Sequence, residues 1–360
     1  MASVATPQTG SRGNMSLGQG LRRLWDSYLF RRILKAIFTI WFVTTLLFFL
    51  VRLMPSNPLE IYVQELISQY GIPYQDAMSQ AAALFAIDLT APLWKQYLTY
   101  LSGVMHGDLG MSLRSPGTPV TSIIAQFLPW TLFSVGTALL ISVTIGILLG
   151  ILMAYRRDTW TDNGLSVFAS ATTSIPNYIV GILIIVFVAV RWNWVNFAAI
   201  RGSLSPGVAV GFNTTFFQDA LYHAALPIAT YVITTVGFWM LSMRNSTLAT
   251  LGEDYVTVAR ARGLSDNRIA LHYVGRNASL PLVTAFALAV ASIVGGAAVI
   301  EELFRYQGIG SVLVQSVFQR DYPVMQGVFL VFTVAVVMAN LITDLSYGLL
   351  DPRIRISGGE

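Results

Sequence analysis

The chain contains no cysteine. Disulfide frameworks, thiolate nucleophiles and cysteine-based metal sites are therefore excluded. Charge is also scarce: Asp, Glu, Lys and Arg make up 11% of the 360 residues, where a soluble domain carries about 25%. Histidine occurs three times, as His106, His223 and His272, with no metal-ligand spacing between them. The longest apolar runs hold no Asp, Glu, Lys or Arg, so their interiors offer no titratable relay. No Gly-x-x-x-x-Gly-Lys-Ser/Thr phosphate loop is present, and nucleotide binding by that route is excluded too.

What remains is hydrophobic, at 54% of residues, the composition of an integral membrane protein. A membrane helix takes about 20 apolar residues. Six segments qualify: Ala36–Val51 (extended by Ile33 and Leu34), Ser115–Tyr155 (core from Trp130 to Ala154), Asn163–Val190, Ala220–Met243, Asn277–Ile300 and Tyr322–Thr343. The expected fold class is an all-α polytopic membrane protein with six transmembrane helices. The first segment does not read as a cleaved signal, because its run is long and Arg52-Leu53-Met54-Pro55 follows it. With the amino terminus inside, segments 1–35, 155–163, 244–276 and 344–360 are cytoplasmic. They carry 15 of the 22 Lys and Arg, while acidic residues split 9 and 9. Positive charge alone sets topology in this way, and both termini are expected in the cytoplasm. The pI near 9.3 then reflects arginines at a membrane face, not nucleic-acid binding.

Five regions follow. Residues 1–30 form a disordered polar tail with a basic surface helix at Leu21–Arg32. Residues 31–54 are the first span. Residues 55–128 form an outer loop with helical spacing at Glu60–Tyr70 and Tyr74–Phe85 and a turn at Gly107-Asp108-Leu109-Gly110, which predicts a small extracytoplasmic helical cap. Residues 129–350 are a five-helix core, and 351–360 a second cytoplasmic tail.

The most informative stretch is 253–281, polar and basic between two apolar spans. Helical spacing over Glu253–Arg262 puts Tyr255, Val258 and Ala259 on one face, with Arg260 and Arg262 off it. Gly263 suits the left-handed end of a helix. Ser265 suits the N-cap of a second helix, Asp266 to Arg276, with Asp266 at its positive end. Such a helix–glycine–helix segment is either a stiff bracket or a connecting surface loop, and shape alone does not separate the two.

Within the spans, Pro176 with Asn177 predicts a kink in the third. Pro227 reads equally as a kink or as helix-end punctuation, and Pro281 reads more readily as punctuation. Gly146 and Gly150 form a Gly-x-x-x-Gly pair, and Gly295-Gly296-Ala297-Ala298 is a second small-residue patch. Intramembrane polar groups are mild: Ser170, Thr172, Thr173, Ser174, Asn177, Thr234, Thr235, Ser292 and Asn340. Ser and Thr in such places either serve a pathway or bond their own helix. Ser174, Pro176, Asn177, Thr234, Thr235, Trp239, Ser292, Gly295 and Gly296 are the pathway candidates. Trp130, Trp192, Trp194 and Tyr222 fit an interfacial aromatic belt.

Glu253, Ala259, Gly263, Asn277 and Pro281 resemble the EAA loop of ABC importer permeases. The chain is most similar to the first-permease type of the dipeptide/oligopeptide/nickel subfamily. Leu53-Met54-Pro55-Ser56-Asn57-Pro58 resembles the segment after that family's first span. Pro92, Gln96-Tyr97 and Gly107-Asp108-Leu109-Gly110-Met111-Ser112 resemble its outer-loop signature. Ser174-Ile175-Pro176, then Arg320-Asp321-Tyr322-Pro323 with Gln326-Gly327, and Asp351-Pro352-Arg353 extend the resemblance over about residues 30–355. Gln307-Gly308-Ile309-Gly310 departs from the usual Pro-Gly-Leu-Gly, and the 55–128 and Asn193–Asp219 loops are long for the family.

The resemblance implies a type I importer permease of the bacterial inner membrane. Its partners would be a second homologous permease, two cytoplasmic ATP-binding subunits and an extracytoplasmic solute-binding protein. The chain itself would be non-catalytic and cofactor-free, with ATP and Mg held by the ATPases. Glu253, Asp254, Tyr255, Val258, Ala259, Arg260, Arg262 and Gly263 would couple to an ATPase. Tyr255 and Val258 would sit in its groove, with Glu253, Arg260 and Arg262 pairing at the rim. Cargo would be di- or oligopeptides, with oligosaccharides as the alternative. An ion-gradient-driven transporter would need a buried acid, and an intramembrane enzyme an Asp pair, a Ser–His pair or a zinc motif.

Overall fold

A computed structural model describes residues 28–53, 58–85, 91–115, 117–265 and 268–350. Expectations for residues 1–27, for the Met54–Asn57 part of the first motif, for Asp266 and for 351–360 lie outside them. The helices in chain order are α1 (Tyr28–Leu53), α2 (Pro58–Tyr70), α3 (Tyr74–Phe85), α4 (Leu93–Met105), α5 (Val120–Tyr155), α6 (Trp160–Ser174) and α7 (Asn177–Ile184). After these come α8 (Thr214–Leu251), α9 (Asp254–Ala261), α10 (Arg276–Ala278), α11 (Leu280–Gly296), α12 (Ala298–Phe304), α13 (Ile309–Gln319) and α14 (Tyr322–Leu350). Two π-helical turns, Ile185–Arg191 and Ile269–Gly275, continue α7 and precede α10.

Among the described residues, four stretches are long and apolar enough to cross a membrane: Phe30–Val51, Val120–Tyr155, Thr214–Leu251 and Tyr322–Thr343. The bent pair α6 and α7 makes a fifth if taken as one span. The sequence predicted a kink there; the structure turns by 99°. The residue before a proline is pushed out of the helical region, and Ile175 is extended at φ −90, ψ 125. Pro176 is extended in turn at ψ 138, so two successive residues leave the helix and the axis swings through a right angle. Pro227 lies inside α8 without breaking it. Pro281 stands in the first turn of α11, where a missing N–H costs nothing. The predicted Asn277–Ile300 span is divided here among α10, α11 and α12, with Ser279 and Ala297 outside them.

Close approach sets the register of the core. An added Cβ at Gly146 would lie 2.2 Å from Trp239 Cβ, and one at Gly150 2.7 Å from Met243 Cβ. Successive turns of α5 therefore meet successive turns of α8, and the two helices run parallel. An added Cβ at Gly237 would lie 2.3 Å from the Ala169 carbonyl oxygen, while Asp162 meets Arg244, so α6 runs antiparallel to α8. Val120 and Ile124 pack with Val324 and Val328, which puts the start of α14 beside the start of α5.

Each end of the bundle is tied by polar clusters. At the starting end, Asp321 is buried and accepts from Ser112 Oγ at 2.5 Å, Leu113 N at 3.1 Å and Arg114 N at 3.3 Å. Arg320 takes a left-handed φ of 58, which turns the chain out of α13 and brings Asp321 N onto Ser316 O at 2.8 Å. Glu301 is fully buried. Its Oε1 accepts from Thr131 Oγ1 at 2.5 Å and its Oε2 from Ser311 N at 3.0 Å, while Thr131 Oγ1 accepts from Ile309 N at 2.8 Å. At the far end, fully buried Asp162 takes a bidentate fork from Arg244, at 2.6 Å to Nε and 2.7 Å to Nη2.

The predicted helices at Glu60–Tyr70 and Tyr74–Phe85 are present as α2 and α3. The turn at Gly107–Gly110 is present too, with Asp108 Oδ1 accepting from Gly110 N at 2.9 Å. Helix α4 was not foreseen.

Candidate functional site

Segment 251–282 hangs from the far end of α8. Glu253 is extended at ψ 144 and starts α9, and Val256 N closes the first turn onto Glu253 O at 3.0 Å. The helix ends as predicted: Gly263 has φ +75, with its N–H on Arg260 O at 2.9 Å. The second arm differs from expectation. Residues 269–275 are π-helical, with Ile269 N on Ser265 O at 3.0 Å.

The packed face of α9 is Val256 and Ala259, at 0% and 3% exposure. They join Trp239 and Met243 of α8, Ile269 and Val274 of the second arm, Ala278 and Leu282 in one cluster. The predicted grouping of Tyr255, Val258 and Ala259 is thus corrected. Ala259 faces the chain's own core with its i−3 neighbour Val256, which the sequence reading passed over. Tyr255 and Val258 lie on open sides at 38% and 55% exposure. Burying two side chains at i and i+3 fixes a short helix along one edge and leaves the rest of its surface free.

Polar bonds lock the two arms together. Asn277 Nδ2 donates to Tyr255 Oη at 2.9 Å and to Tyr273 O at 2.9 Å. Leu264 N reaches Ala259 O at 3.3 Å. Ser246 Oγ, on α8, donates to Ala278 O at 2.6 Å. Glu253, Asp254, Tyr255, Val258, Arg260, Arg262 and Gly263 all remain exposed. Of the two readings left open by the sequence, the geometry matches a bracket: two arms, a glycine bend, one welded edge and one free edge.

The described pathway candidates bond mostly within their own helices. Ser174 Oγ donates to Ser170 O at 2.8 Å and Thr234 Oγ1 to Thr230 O at 2.9 Å, both within their own helices. Thr235 Oγ1 is 2.7 Å from Tyr231 O and 2.8 Å from Ser142 Oγ of α5. Trp239 is 2% exposed and belongs to the core beneath the bracket, not to an open surface. Pro176 and Asn177 sit at the right-angle bend. Ser292, Gly295 and Gly296 fall in the last turns of α11, where side chains lie outside the described residues. An apolar groove between α5 and α11 is lined by Leu132, Gly136, Leu140, Phe286 and Val290, and none of the described candidates lines it.

His223, with no ligand spacing to the other histidines, has partners in the structure. Its Nε2 is 3.1 Å from Ser205 Oγ and its Nδ1 3.0 Å from Ile200 O. The Ser205 hydroxyl and amide both donate to Asp219, at 2.7 Å each. The hydroxyl is committed to the carboxylate and the imidazole to a backbone carbonyl, so the cluster ties the 192–213 loop onto α8. Among the described residues no group of three His, Asp or Glu is placed to hold a metal ion.

A family described as binding-protein-dependent transport system inner membrane component matches residues 146–356. A putative peptide permease of Brucella ovis is 34% identical over 92% of this chain and 99% of its own length. The oligopeptide transport system permease protein AppB of Bacillus subtilis is 32% identical over 91% of this chain and 99% of its own. The dipeptide transport system permease protein DppB of Escherichia coli is 32% identical over 91% and 98%. With its long apolar helices, its far-end bracket and this breadth of similarity, the chain belongs to the binding-protein-dependent inner membrane components, the permeases of ABC importers.

Proposed function

We propose that the chain forms half of the translocation pathway of an ATP-driven peptide importer. It crosses the membrane six times, with α10–α12 completing the fifth crossing and both termini in the cytoplasm. Helices α2 and α3 form the outer cap. A second permease supplies the other half of the pathway, two cytoplasmic ATPases power it, and an extracytoplasmic binding protein delivers cargo. The observation that carries this reading is the bracket: exposed Asp254, Tyr255, Val258, Arg260 and Arg262 on a helix welded through Val256 and Ala259 to α8. Force applied to such an edge passes to the long helices without being lost in a loop. Peptide cargo is supported by what the relatives' names state. Closure of the ATPases moves the bracket and opens the pathway outward; hydrolysis returns it. Bond-making stays with the ATPases. Movement at the Pro176 bend, next to Ser174 and Asn177, is the candidate gate.

Arg260→Glu with Arg262→Glu tests the lever. ATP-dependent dipeptide uptake into vesicles holding the whole importer should fall to background, while membrane insertion stays normal, because neither arginine is in the core. Normal uptake by the double variant would overturn the lever role, and uptake by the purified chain alone would overturn the whole reading. Gly263→Val tests the bend. An added Cβ there meets nothing within 4 Å, so the cost is backbone strain alone, about 1–2 kcal/mol for a left-handed L-residue. Weaker co-purification of the ATPase at unchanged permease yield is the expected result.

A further inference from the structure

Helix α4 is three-sided. Tyr97 and Tyr100 face α1: Trp41 Nε1 donates to Tyr97 Oη at 3.1 Å, Thr45 Oγ1 lies 2.8 Å from the same oxygen, and Phe48 is 5.3 Å from both tyrosine rings. At helical spacing, Trp94, Leu98, Leu101 and Met105 form a second, apolar stripe. Trp94, Leu98 and Met105 are 65%, 54% and 77% exposed, and α4 has no buried residue. Lys95, Thr99 and Ser102 share the third, polar side.

The length of α1 sets the depth of this contact. Between Lys35 and Arg52 it has the uncharged run Ala36–Val51, about 24 Å of helix, already short of the ~30 Å hydrocarbon core. No turn of α1 can be spared above the membrane, so Trp41, Thr45 and Phe48 lie inside it. Whatever touches them lies there as well. The polar groups of α4 on that side are bonded accordingly: Tyr97 Oη has two partners, and Gln96 Nε2 donates to Ala91 O at 2.9 Å.

We propose that α4 is a membrane-surface helix sunk into the leaflet at the carboxyl-terminal end of α1, not a part of the water-exposed cap. Its occupant is lipid. Trp94, Leu98 and Met105 add to the apolar surface that α1 exposes at Phe38, Phe42 and Phe49, and Lys95 on the polar side reaches the phosphates along its aliphatic stem. The inference rests on α1 being a membrane span and is independent of the peptide reading.

The absence of cysteine makes the test direct. Single cysteines replace Leu98, Met105, Thr99 or Ser102, with Phe42→Cys as the span control, in the full chain co-expressed with its partner subunits. A membrane-impermeant thiol reagent should label Thr99→Cys and Ser102→Cys and fail at Leu98→Cys and Met105→Cys. Spin labels at the latter two should collide with oxygen and not with a water-soluble nickel chelate. Labelling at Leu98→Cys and Met105→Cys places the stripe in water, and protection from both collision partners places it under another subunit; either result overturns the proposal. A Phe42→Cys control open to the reagent would instead sink the span assignment of α1. Leu101→Cys replaces Leu98→Cys or Met105→Cys should either fail to accumulate.

Discussion

Gly146→Val should abolish accumulation of folded permease in the membrane. At this position an added Cβ would stand 2.2 Å from Trp239 Cβ and 3.1 Å from Met240 N. Neither is the movable tip of a side chain, so relief requires α5 and α8 to separate along their whole contact. Overpacking in a well-packed core costs typically 1–3 kcal/mol. This contact is with backbone and a Cβ, and it also carries the Trp239 cluster that supports the bracket, so the upper end of that range is expected at least. Gly136→Val on the same helix is the matched control, because a Cβ there meets nothing within 4 Å. The monodisperse peak in size-exclusion of detergent extracts should vanish for Gly146→Val and survive for Gly136→Val. Equal peaks would show that the two helices do not approach as closely as the structure has them.

Glu301→Ala should cost nearly as much at the opposite end. Removing the carboxyl strands the Ser311 N–H and the Thr131 hydroxyl in a dry interior, at about 1–3 kcal/mol for each unsatisfied group. It also empties the space that Gly308 and Gly310 leave open: a Cβ at Gly308 would lie 2.1 Å from Glu301 Oε1. The adjacent Glu302 is half-buried and pairs with the exposed Arg305, and pairs with one partner in solvent contribute little. Thermal unfolding of the purified importer should drop steeply for Glu301→Ala and barely for Glu302→Ala. The same geometry explains why the sequence keeps Gly308 and Gly310 while departing at Gln307. The glycines are required by the carboxyl they enclose, and position 307 is not.

Hydropathy made the long spans legible, since nothing but a membrane accounts for uncharged runs of that length. It located the Pro176 break but not its amplitude, which depends on Ile175 and Pro176 both leaving the helical region. The bracket was legible in outline, from Gly263 and the polar run. Its orientation was not: whether Tyr255 or Val256 faces inward is a one-residue rotation of a short helix, decided by contacts with α8 and the second arm. Helix α4 escaped because three kinds of surface on thirteen residues leave no simple period. Buried Asp162, Glu301 and Asp321 escaped for a different reason. Each looks like an ordinary loop or helix-end charge until partners up to 209 positions away remove it from water.

The tie between Ser112 and Asp321 bears on how such permeases can be recombined. The family match begins at residue 146, which invites exchange of everything before it as a separate module. Asp321 belongs to the retained part, yet its hydrogen-bond donors at 112–114 belong to the part exchanged. A chimera joined near that boundary has to import a hydroxyl and two amides that fit the carboxylate, or carry the donor's own 320–323 segment along with its amino-terminal third.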